Sequence, residues 1–104
     1  MDETKLSPIG TPSGLPADAR IHCDAGIEAW RTHDNAGAET HFADAVKGAP
    51  ENGTLHYNYG LALHLNGNHS AAKAQFEAAR KYAGENRAIK SSALLKHHLD
   101  GSPM

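Results

Sequence analysis

Residues 50–84, PENGTLHYNYGLALHLNGNHSAAKAQFEAARKYAG, hold two apolar stretches at helical spacing, split by Asn66-Gly67-Asn68. Moved back by 34 positions, this stretch falls on residues 16–50, PADARIHCDAGIEAWRTHDNAGAETHFADAVKGAP. Pro50 lands on Pro16, His56 on His22, Gly60 on Gly26, Ala72 on Ala38, Phe76 on Phe42, Ala79 on Ala45 and Lys81 on Lys47. Leu55 falls on Ile21, Leu61 on Ile27 and Asn58 on Asp24, so conservative pairs fill the gaps. Moved forward, Pro50 meets Gly84 and Ala49 meets Ala83. Self-similarity at a fixed period of this length is the signature of stacked supersecondary units.

The breakers divide each period into a helix, a turn and a second helix. Pro16 and Pro50 stand before helix starts, where a missing N–H is harmless. Asn52 and Asn86 are candidate N-caps, and Thr32–Asn35 and Asn66–Asn68 are turns. This spacing predicts helices over 17–32, 35–48, 52–66, 69–83 and 86–99. Val and Ile are too few for a parallel sheet, whereas Ala and Gly allow helices to approach closely. The expected fold is all-α: an α-solenoid of two antiparallel helix pairs plus a closing helix. Gly26 is expected to face Ala38, and Gly60 to face Ala72, with Phe42 and Phe76 filling the space towards the next helix.

The units are expected over 16–49 and 50–83, with the closing helix and tail in 84–104. Residues 1–15, MDETKLSPIGTPSGL, show no hydrophobic period and are rich in Pro, Gly, Ser and Thr, the composition of a flexible arm. The formal net charge of −2 does not suit a nucleic-acid partner, which would call for a basic face. No apolar run approaches the roughly 20 residues that cross a bilayer. No signal-peptide pattern opens the chain, so a cytoplasmic location is expected. Cys23, the single cysteine, has no partner for an internal disulfide.

Eight histidines raise the question of a metal, but no two stand three or four residues apart, the spacing that lets a helix present two ligands to one ion. His97 and His98 are adjacent and point in different directions; His64 and His69 straddle a turn. Packing and surface roles are the expectation, without metal or other cofactor. Cys23 lies between His22 and Asp24, yet neighbours along a helix do not face one another. Asp24 and Glu28 form an i, i+4 carboxylate pair of the kind usual on a solvated face. Neither pattern makes an active site, and catalysis is not expected.

The repeated residues resemble the tetratricopeptide repeat family, whose pattern places Trp, Leu-Gly and Tyr on the first helix and Ala, Phe, Ala and Pro on and after the second. Tyr59-Gly60, Leu63, Ala72, Phe76 and Ala79 follow it in the second unit, with Gly84 in place of the closing Pro. Ala25-Gly26, Ala29, Ala38, Phe42, Ala45 and Pro50 follow it more loosely in the first. His22 and His56 replace the family's Trp. The resemblance spans residues 16–99 and implies that the first helix of each pair lines a concave groove.

Carried over position by position, that groove would receive Cys23, Asp24, Ile27, Trp30 and Arg31, then Tyr57, Asn58, Leu61, His64 and Leu65. From the closing helix it would receive Ser91, Ser92, Leu95, His98 and Leu99. Relatives that clamp a carboxylate use Lys, Asn and Arg; here Asn58 alone matches, with Cys23, Ile27, Ala88 and Ser92 at the other places. The resemblance therefore implies a protein-interaction scaffold or adaptor taking a peptide or amphipathic helix on Ile27, Trp30, Tyr57, Asn58, Leu61, His64, Leu65 and Leu95. Asn58 is expected to bond the ligand's backbone. The alternatives are a self-assembling homo-oligomer and, third, a small metal-binding protein or enzyme. Leu94 takes the register place of Gly26 and Gly60 in a closing helix with no sixth helix expected to follow. Ile89, Leu94 and His97 would then form an outer face for a homodimer, or for the arm folding back through Leu6 and Ile9.

Overall fold

A computed structural model describes residues 8–82 of the chain. They form four helices, α1 (Ala17–Arg31), α2 (Asn35–Gly48), α3 (Gly53–Leu65) and α4 (His69–Lys81). Each packs against the next, α1 on α2, α2 on α3 and α3 on α4, and there is no strand among the described residues. The architecture is an all-helical solenoid, and the starts of α1, α2 and α4 coincide with the expected ones. The expected closing helix over 86–99 lies outside the described residues. None of the four helices is long and apolar enough to cross a membrane.

Local chemistry sets the boundaries. Pro16 precedes α1 with φ −56°, the value its ring imposes. Asp34 caps α2 by accepting from Gly37 N–H at 2.9 Å, and Asn52 caps α3 by accepting from Leu55 N–H at 3.2 Å. Each cap satisfies a donor that the first turn leaves unpaired. Between α1 and α2 the chain reverses at His33, with φ 67°; between α3 and α4 it reverses at Gly67, with φ 86°. These positions are 34 apart, so both units use the same left-handed turn, but only the second has the residue that adopts it without a Cβ penalty.

Two clusters make the core. Ala19, Cys23, Ala38, Phe42, Ala45, Leu55 and Ala62 form one; Tyr57, Leu63, Ala72, Phe76 and Ala79 form the other. At each glycine the nearest neighbour is the phenylalanine ring of the same helix pair. A Cβ added to Gly26 would lie 2.5 Å from the Phe42 ring, and one added to Gly60 would lie 2.7 Å from the Phe76 ring. Each phenylalanine ring lies over the glycine of its own helix pair, filling the slot that the glycine opens, and Phe42 shares a cluster with Leu55 and Ala62 of α3.

The two family-Trp positions hold differently. His56 is buried, stacks on Tyr82 at 5.9 Å, and places Nε2 2.7 Å from the Pro50 carbonyl. A carbonyl only accepts, so Nε2 carries the proton. Nδ1 lies 2.7 Å from Gln75 Oε1, so this ring nitrogen too has a polar partner. His22 instead stacks on His41, 5.7 Å away, and Nδ1 of each ring is buried without a hydrogen-bond partner among the described residues.

Candidate functional site

The inner helices α1 and α3 are not bare. Residues of the 8–15 segment, the described part of the expected arm, lie against them. Asn58, on α3 and with no solvent exposure, holds Ile9 by both main-chain groups. Its Oδ1 accepts from Ile9 N–H at 2.8 Å, and its Nδ2 donates to the Ile9 carbonyl at 2.9 Å. One carboxamide thus pairs with a residue as a neighbouring strand would, through one donor and one acceptor. At the equivalent place one repeat earlier, the Asp24 carboxylate accepts from the Thr11 hydroxyl. The arm crosses the stack with one polar contact per repeat, two residues apart, a step of roughly 7 Å in extended chain.

Apolar contacts frame these bonds. Ile9 packs against the cluster containing Tyr57 and Phe76, and Leu15 against the cluster containing Cys23 and Phe42. A turn with Gly14 at φ 81° joins the docked segment to α1. Cys23 lies beneath the arm and is fully buried. Burial pushes its thiol above the ordinary thiol range; polar contact with Thr11 and Asn58 opposes that shift, and the Asp24 charge adds to it. A neutral, covered thiol is a poor nucleophile, and neighbouring His22 is turned into its stack with His41.

The other expected groove residues divide. Tyr57 and Leu61 are buried, and Leu61 has no exposed surface. Ile27 and Trp30 are half-buried against the first cluster. His64 and Leu65 are half-buried near the end of α3, and the His64 ring meets His69 edge-on at 4.8 Å. Leu95 of the groove, and Ile89, Leu94 and His97 of the expected self-association face, lie outside the described residues. Among the described residues no three His, Cys, Asp or Glu side chains converge as metal ligands. The Glu28–Arg31 pair, 3.7 Å apart, is solvent-exposed on both sides and contributes little.

Sequence reasoning listed Asp24 among the groove residues but missed Ile9 and Thr11 as what the groove holds. The available signal was Pro8 and Pro12, which flank Ile9-Gly10-Thr11 and bias the residues before them to extended backbone. Comparison with curated proteins gave no match, nor did comparison with solved structures. A family model described as tetratricopeptide repeat matches residues 23–89. That span takes in most of the four helices and Asn58 itself, and the chain belongs to the tetratricopeptide repeat family.

Proposed function

We propose that this chain is a protein-interaction module whose inner α1–α3 face holds an extended segment of a partner protein by its main chain. The carrying observation is Asn58, which bonds both backbone groups of Ile9. A side chain that satisfies one N–H and one C=O recognises a peptide backbone whatever its sequence, while flanking apolar surface adds side-chain preference. An amphipathic helix suits this contact poorly, because its interior N–H and C=O groups are already bonded to each other. Of the two ligands expected for the groove, the extended peptide is therefore the one favoured. Ten basic and twelve acidic residues give no strong field for a nucleic acid. The role is binding, not catalysis, and fits an adaptor.

A display selection of random peptides on the full chain tests this. Each main-chain hydrogen bond contributes roughly 0.5–1.5 kcal/mol net. Asn58→Ala should therefore weaken the selected peptides about 10-fold to 100-fold, with the helical circular-dichroism signal retained. Peptides that bind the variant and the wild type equally well would place the contact elsewhere and defeat the reading.

A further inference from the structure

The contacts of residues 8–11 describe a ligand. Ile9 offers Asn58 a free N–H and a free C=O, so no proline fits at that place, and its side chain lies on the cluster that includes Tyr57. Two residues on, Thr11 offers Asp24 a hydroxyl proton. Pro8 fixes its own φ, and Pro12 holds Thr11 to extended backbone. The segment therefore gives up less freedom on docking than an ordinary tail. Yet among the described residues its polar side-chain partners are one carboxamide and one carboxylate, and the tether to α1 is residues 12–16.

The geometry points to residues 8–11 being a tethered competitor for the groove, displaced by a partner segment that carries an aliphatic residue, any residue, then Ser or Thr, in extended form. The inference rests on the interaction-module reading and adds the partner's pattern and the gate it must open. Asp24 sets the hydroxyl preference: it accepts a donor at that place and repels a carboxylate. Asn58 excludes proline at the aliphatic place. Cys23, sealed beneath Thr11 and Asn58, becomes accessible to small reagents when the arm leaves and is covered again when a partner docks.

The probe is the synthetic peptide SPIGTPSGL, the sequence of residues 7–15, labelled and titrated into the full chain. Wild type is compared with Ile9→Asp, which removes the apolar anchor, and with Thr11→Val, which removes only the hydroxyl. A short tether presents its segment at roughly millimolar effective concentration, so freeing the groove should tighten the peptide about 10-fold or more. Both variants should show that gain with unchanged helicity, and Cys23 should react with a thiol reagent faster, by a similar factor. Added peptide should slow that reaction again. Peptides with Ile→Pro or Thr→Asp should not bind.

Equal affinity for wild type and both variants overturns the competitor while the module reading stands, provided that selected peptides still require Asn58. Selected peptides that require Asn58 but lack the aliphatic–x–hydroxyl pattern overturn the partner assignment alone. A wild-type dimer whose Cys23 becomes reactive on dilution shows the arm to be seated on a second copy, and overturns the intramolecular gate.

Discussion

The two repeats use one plan with unequal means. Helix α3 has ten of its 13 residues buried, whereas α1 has three of 15. Stacking explains the difference. The inner helix of the second unit packs against both α2 and α4, and is apolar nearly all round, as a helix covered on several sides must be. The polar details follow. In the second unit the buried histidine is bonded at both nitrogens and the turn has its glycine. In the first, His22 and His41 leave Nδ1 unpaired, and His33 occupies the left-handed position. A shared period thus does not imply shared stability: the first unit tolerates local costs that the second avoids.

The largest test of that contrast is Phe76→Ala. Removing the ring over Gly60 in the most enclosed part of the stack should cost about 3–5 kcal/mol, read from urea unfolding. Phe42→Ala should cost less if the first unit is the looser one; an equal or larger loss there would break the asymmetry.

Next in size are Gly26→Ala and Gly60→Ala. Either methyl would meet a phenylalanine ring at 2.5 or 2.7 Å, so each should cost about 1–3 kcal/mol despite alanine's higher helix propensity. Thermal unfolding that rises on either substitution would show that the ring moves aside freely.

A gain is expected from His41→Gln. Gln75 stands 34 residues after His41, so the substitution copies the second unit's arrangement and gives His22 Nδ1 a partner. Satisfying a buried ring nitrogen should add about 1 kcal/mol. A loss would mean that the His22–His41 stack is worth more than the missing bond.

The smallest effect is His33→Gly, which copies Gly67. Relief of the left-handed Cβ penalty, offset by glycine's greater unfolded-state freedom, should leave a gain of up to about 1 kcal/mol. No change in chemical-denaturation midpoint would indicate that His33 contributes a compensating contact.

Much of the fold was legible because its signals are local and repeated. Pro16, Asn52 and the Asn66–Asn68 turn announce helix ends through their own backbone chemistry, and the 34-residue register places Ala38 with Ala72 and Phe42 with Phe76 without knowledge of any contact. That the Phe42 and Phe76 rings lie directly over Gly26 and Gly60 was not legible, because spacing along two helices does not fix which side chain swings into a gap. For the site, Asn58 was legible as a backbone binder, through the family resemblance. Asp24 was legible as a groove position through the same resemblance, but the donor it receives comes from outside its helix.

The sequence by itself determined the period and the helix order, since turn and cap residues recur in one register along the chain, and the family resemblance supplied the inner-face position of Asn58. Only the tertiary structure decided what the inner face holds. Residues 8–15 carry the composition of a free arm, and nothing in their own pattern directs them to a helix. The Ile9–Asn58 bonds join residues 49 positions apart. They form because α1 and α3 are already stacked side by side, presenting Asp24 and Asn58 at a spacing that extended chain can span.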